Sequence, residues 1–207
     1  MDHSHFATRQ PPGKMSYEEF LAWCNEDTWA EWVEGEVIMV SPASERHQDL
    51  QRFLQAVLGI FVEQHGLGRV LGAPFQMRLS GAIRSSREPD VLFIAQVHLD
   101  RLRETYLDGS ADVVVEIVSA ESGPRDRGEK FYAYEAGGVQ EYWLIDPERQ
   151  QAEFYQRGAD GRYRLSLGGA EGVCRATAIP GFWLKVEWLW QRPLPRVLDA
   201  LRELGVL

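Results

Sequence analysis

The chain has 207 residues, 44% hydrophobic and 26% charged, a balance that excludes disordered and fibrous polypeptides and suits a globular unit with a substantial core. A formal net charge of −9 argues against a constitutive nucleic-acid binder that works through clustered lysine and arginine, although carboxylates that hold a divalent ion would add to the same negative total. No apolar run is long enough to span a bilayer and no signal-like apolar segment opens the chain. Cys24 and Cys174 have no metal-binding spacing, so a cytoplasmic protein with reduced thiols is expected.

Residues 1–15, with Pro11, Pro12 and Gly13 among polar side chains, read as a flexible arm. Residues 16–207 read as a single domain, since no repeat or low-complexity linker divides them. Ser16 and Glu19 form a capping-box pair that opens a short helix through Phe20, Leu21, Trp23 and Cys24. A hairpin of 30–33 and 36–40 follows, turning at Glu34-Gly35 and ended by Pro42. Ser44 caps a long helix in which Leu50, Phe53, Leu54, Val57, Leu58 and Phe61 recur at three- and four-residue steps, stopped by Gly66 and Gly68. Segments 69–72 and 75–79 read as strands separated by Pro74.

Residues 90–95 and 112–119 are apolar runs rich in β-branched side chains and too short for core helices, so they read as buried strands. A helix over about 125–136 ends at Gly137-Gly138. Residues 141–145 form another buried strand, 152–156 and 163–167 a hairpin, and 195–204 a last helix after an aromatic segment. The result is an α/β chain with a mixed central sheet flanked by helices and extra strands in hairpins. Val91, Phe93, Val113, Val115, Ile117 and Leu144 are expected in its core with the long-helix residues.

Glu116 interrupts the run Asp112-Val113-Val114-Val115-Glu116-Ile117-Val118. A carboxylate there costs on the order of several kcal/mol unless a metal ion or fixed cation compensates. Asp90 stands at the head of Val91-Leu92-Phe93-Ile94, after Pro89, and either caps the strand or faces the same site. Lys130 follows one strand-to-helix connection after Glu116, with Asp126 at i−4 and Tyr134 at i+4 on one helix face. A solvated Asp–Lys pair is the bland alternative. Yet the first turn of such a helix lies at the carboxyl end of the strand, where open α/β sheets place ligands. With 19 arginines and 3 lysines in the chain, each lysine is a conspicuous choice.

These segments carry a resemblance. Glu88-Pro89-Asp90, Val115 to Ser119, Arg125-Asp126 with Lys130 and Tyr134, and Glu141 to Pro147 follow in order, preceded by Glu31–Pro42 and His47. Together they resemble the Uma-two family of restriction-endonuclease-like proteins, in the PD-(D/E)XK nuclease superfamily, from about residue 17 to about 190. The resemblance implies a restriction-endonuclease-like core, with the proline–aspartate element at Pro89-Asp90 and the second acid at Glu116. It implies a catalytic centre of Asp90, Glu116 and Lys130, in which Asp90 and Glu116 hold Mg2+ or Mn2+ for phosphodiester hydrolysis, with DNA as the expected substrate. The superfamily's acid-x-Lys is absent, because Val118 stands two residues after Glu116; the lysine is carried instead by the following helix, as Lys130. Glu31 matches an early family acid, either a further metal-site carboxylate or a hydrogen-bond partner, unless it is an outward hairpin residue. His47 matches a family histidine, as a cap or substrate contact. Asp126 and Tyr134 are supporting positions, and Tyr134 and Tyr142 read as packing aromatics with satisfied hydroxyls. The rival is a non-catalytic nucleic-acid-binding or regulatory module on the same fold. Seven tryptophans leave room for a homodimer interface.

Overall fold

The computed structural model of the chain describes residues 13–24, 28, 30–39, 43–79, 84–119 and 122–207. Most of the expected arm (1–12), the end of the first hairpin at Val40 and the closing Pro42 lie outside the described residues. Helix α1 (Tyr17–Trp23) starts at the capping box: Glu19 N donates to Ser16 Oγ at 3.2 Å and Ser16 N to Glu19 Oε2 at 2.7 Å. Strands β1 (Ala30–Val33) and β2 (Glu36–Met39) form the hairpin. Glu34 and Gly35 both take positive φ, 49° and 95°, as a turn matched to strand twist requires.

Helix α2 (Glu45–Gln64) begins at Ser44, whose Oγ accepts from His47 N, and all six expected apolar positions are buried. Gly66 lies in the turn beyond it. Gly68, expected to stop the helix, instead opens strand β3 (Gly68–Gly72). A Cβ at Gly68 would fall 2.0 Å from the Ile94 carbonyl oxygen, so close approach of two strands is what the glycine serves.

Strands β4 (Gln76–Leu79), β5 (Ser85–Arg87), β6 (Val91–Ala95), β7 (Tyr106–Asp108) and β8 (Val113–Ile117) follow. Next comes a helix of three parts: α3 (Gly123–Arg125), a π turn (Asp126–Lys130) and α4 (Phe131–Gly137). Then come β9 (Glu141–Asp146), β10 (Gln151–Arg157), β11 (Tyr163–Gly169), β12 (Val173–Arg175), β13 (Trp183–Lys185) and α5 (Val197–Glu203). The helix expected over 125–136 is therefore present but widened for one turn, where Asp126 and Lys130 both point inward and are buried.

Six strands form a mixed sheet in the order β11-β10-β9-β8-β6-β3. β8 and β9 run parallel, joined by the α3–α4 crossover, and both are buried at every position. Val113, Val115, Ile117, Trp143 and Ile145 pack in one core cluster with α2, α5 and the carboxyl-terminal aromatic segment. Val114, Leu92, Tyr142 and Leu144 pack in a second with Met77, Leu79 and Tyr134, and a third gathers Tyr17, Phe20, Trp23, Ala30 and Trp32. The expected core residues are all buried. Sequence patterning misses the five-stranded second sheet, β2-β1-β5-β4-β7, as a unit. The two strands flanking Pro74 part company: β3 joins the large sheet and β4 the small one. Among the described residues no helix is long and apolar enough to cross a membrane.

Candidate active site

β6 and β8 pair antiparallel with Val91 opposite Val115 and Phe93 opposite Val113. The pairing ends at Val91 and Val115, so Asp90 and Glu116 are the next residues along the two chains at one end of the ladder. Asp90 Oδ2 accepts a hydrogen bond from Ile117 N at 2.6 Å, which ties it to the carboxyl end of β8 beside Glu116. From α2, His47 Nε2 approaches the same oxygen at 3.2 Å, and Gln51 Nε2 donates to the Asp90 carbonyl at 2.9 Å. Burial alone would lower the His47 pKa, but the Asp90 carboxylate raises it past its ordinary value.

Glu116 spends both oxygens. Tyr134 Oη donates to Oε1 at 2.6 Å, and Lys130 Nζ lies 2.9 Å from Oε2. Lys130 also stands 3.3 Å from Asp126 Oδ1 and 3.4 Å from Glu31 Oε1, so a single buried ammonium serves three carboxylates from β8, the π turn and β1. Glu31 is not an outward hairpin residue: it is 1% exposed and also accepts from Arg87 Nη1 at 3.2 Å and Glu88 N at 3.3 Å. Asp126 accepts from Ser122 Oγ at 2.5 Å, and the Tyr142 hydroxyl donates to the Asp126 carbonyl at 3.1 Å.

Burial pushes the Lys130 pKa down, but Glu116, Glu31 and Asp126 together push it further up, so the ammonium keeps its proton. Lys130 is therefore a fixed positive charge within the cluster. For Glu31 the cations win: burial raises its carboxyl, while Lys130 and Arg87 bring it below the ordinary carboxylate range. For Glu116 they do not. Burial raises it, Lys130 opposes, and Asp126, Asp90 and Glu31 add to the rise. The cluster therefore carries more acid than its buried cations neutralise.

Asp90, Glu116, Lys130, Glu31 and His47 all line one cavity of about 660 Å³. Asp126 and Tyr134 stand behind it, touching Lys130 and Glu116. Two participants escaped the sequence reading. Arg87, in a three-residue strand, is 1% exposed and bridges Glu31 to Glu129. Glu88 lines the cavity, and burial raises its pKa to about 7, with Gln76 opposing and Glu31 adding. Its place in Glu88-Pro89-Asp90 was the available signal.

Hard oxygen donors from Asp90 and Glu116, in a pocket with excess acid, suit Mg2+ or Mn2+ in chemistry. Among the described residues no group of three or more His, Cys, Asp or Glu side chains is placed to hold a metal ion.

The model of the Uma2 family, described as "Putative restriction endonuclease", matches residues 17–187. Among solved structures, one described as a "putative nuclease", from Anabaena variabilis, superposes with a TM-score of 0.72 at 17% identity, over 85% of this chain and 97% of that one. At that identity the likeness shows a shared fold, and the mixed sheet flanked by helices is the restriction-endonuclease-like architecture. No curated protein matches the sequence. With the family model spanning all the residues that build the pocket's acidic centre, the chain belongs to the Uma2 family.

Proposed function

We propose that the protein is a divalent-metal-dependent phosphodiesterase that cleaves nucleic acid, with DNA as its substrate. The observation that carries this reading is that Asp90, just before β6, and Glu116, near the end of β8, line one cavity, with Asp90 bound to Ile117 N and Lys130 2.9 Å from Glu116. Asp90 and Glu116 would hold Mg2+ or Mn2+. When bound, such an ion supplies Lewis-acid stabilisation of charge on the phosphate and eases activation of water. The chain's own groups do the rest. Lys130 and Tyr134 hold the Glu116 carboxylate in one orientation, and His47 and Ile117 N do the same for Asp90. Glu31 and Asp126 fix the ammonium, so its charge is preorganised beside the reacting phosphate.

A non-catalytic binding module has one observation in its favour: both Glu116 oxygens already have partners. A direct experiment separates the two. Calorimetry with Mn2+ should show binding by the wild type and its loss in Asp90→Asn. DNA should stay intact in excess EDTA and be cleaved once Mg2+ or Mn2+ is restored. A folded wild type that binds no ion and cleaves neither DNA nor RNA ends the phosphodiesterase reading.

A further inference from the structure

Three arginines share the cavity with Asp90 and Glu116: Arg46 in the first turn of α2, Arg125 at the end of α3, and Arg192 after the carboxyl-terminal aromatic segment. Among the described residues none of them forms an ion pair with a carboxylate, although Arg78, Arg87, Arg127, Arg162 and Arg164 all do. Arg46 is nevertheless held in place. Its guanidinium donates to the Gln191 carbonyl at 3.2 Å and to the Leu189 carbonyl, which leaves its charge unmatched. Arg46 Nε and Arg125 Nε are buried and have no hydrogen-bond partner. Each is a donor removed from water with no acceptor to replace it. Burial and the neighbouring charge of Arg192 both depress the Arg46 pKa, with Asp49 only partly offsetting them.

An anion would relieve the like-charge repulsion and give these donors an acceptor. The cavity, at about 660 Å³, has room for more than one phosphodiester linkage. On a chain of net charge −9, a nucleic-acid strand needs a local positive track, and these three side chains supply it beside the acidic centre. We propose that Arg46, Arg125 and Arg192 form a phosphate subsite that grips a backbone phosphate next to the linkage positioned at Asp90 and Glu116. The inference rests on the phosphodiesterase reading and specifies its substrate as a strand with a flanking phosphate, not an isolated diester.

The test measures binding apart from turnover. In the Glu116→Gln background with Mg2+ present, binding of a fluorescein-labelled single-stranded DNA oligonucleotide is followed by anisotropy from about 50 to 200 mM NaCl. Arg125→Ala and Arg192→Ala should each raise Kd roughly tenfold and make the salt slope shallower by about 0.7. Arg164→Ala, which removes a distant arginine paired with Asp160, should leave Kd and slope unchanged and so controls for net charge. Arg46→Ala is less suitable, because it would also free the Leu189 and Gln191 carbonyls. No binding, arginine variants that match the parent, or an equal effect from Arg164→Ala would each overturn the subsite. Arginine-dependent binding in a protein whose wild type never cleaves would leave the subsite standing and remove the hydrolase alone.

Discussion

Glu116 and Glu141 lie on adjacent parallel strands and are 3% and 1% exposed, so burial does not tell them apart. Their partners do. Glu141, at the amino end of β9, receives Thr177 N, Thr177 Oγ1 and Ala178 N on one oxygen and Trp143 Nε1 on the other, all neutral donors. Glu116, near the carboxyl end of β8 and in the opposite side-chain register, receives a tyrosine hydroxyl and a shared ammonium and borders the cavity. A carboxylate surrounded by fixed neutral donors is satisfied and finished. One left among rival acids with a single shared cation still has charge to give to a ligand. The two ends of the β8–β9 pair thus differ in what their carboxylates have left to offer, and the Glu116 end is the one where open α/β sheets place ligands.

The same substitution at both positions tests the division. Glu116→Gln should reduce metal-dependent cleavage to the level of the EDTA control, because the amide keeps the shape but loses the charge that Mg2+ requires. Its stability should stay within about 1 kcal/mol of wild type or rise, since Lys130 keeps Glu31 and Asp126 as partners. A drop of more than about 3 kcal/mol would put Glu116 in the same class as Glu141 and break the comparison. Lys130→Met is the harsher change to the fold. It leaves three buried carboxylates without their common cation, and urea denaturation should show a loss of about 3–5 kcal/mol. A milder loss would mean that water reaches the cluster and screens it.

Glu141→Gln should show the converse. An amide cannot accept all four donors, because its NH2 group must face at least one of them. Stability should therefore fall by about 2–3 kcal/mol, while the molecules that remain folded cleave at the wild-type rate. Comparable loss of turnover and stability in this variant would show that the two ends are coupled.

How much of this was readable in advance follows the physics of each element. The α2, β8 and β9 segments announce themselves because their burial is continuous or periodic along the chain. Strand β5, Ser85-Ser86-Arg87, has no such pattern; it is a strand because β1 and β4 supply its ladder on either side. With β5 went Arg87, and with Arg87 the reason that Glu31 turns inward. Glu116 was readable as a charge inside an apolar run. Lys130 was readable as a rare lysine on the helix that follows Glu116, but its three-way sharing depends on a π turn that propensity does not encode. Glu141 was readable only as the first residue of a buried strand, and what separates it from Glu116 is supplied by Thr177 and Ala178, 36 and 37 residues further along.

The smallest expected effect concerns pH, and it sharpens the comparison from the acidic side. The Glu88 carboxyl is raised to about 7, chiefly by burial. Between the unfolded value near 4.5 and about 7 the native state binds the extra proton, so stability must fall as pH rises through that window and level off above it. His47, also raised, and Glu116, raised, act in the same direction, whereas Glu31, lowered, acts at more acidic pH with the opposite sign. Wild type in EDTA should therefore be more stable at pH 5 than at pH 8. Glu88→Gln should remove about 1–2 kcal/mol of that difference, a figure discounted because the side chain is only partly buried. Chemical denaturation of both proteins across that range is the measurement. Identical slopes would mean that Glu88 is ionised in the folded protein, and that the excess of acid at this end of the sheet is already neutralised without a metal ion.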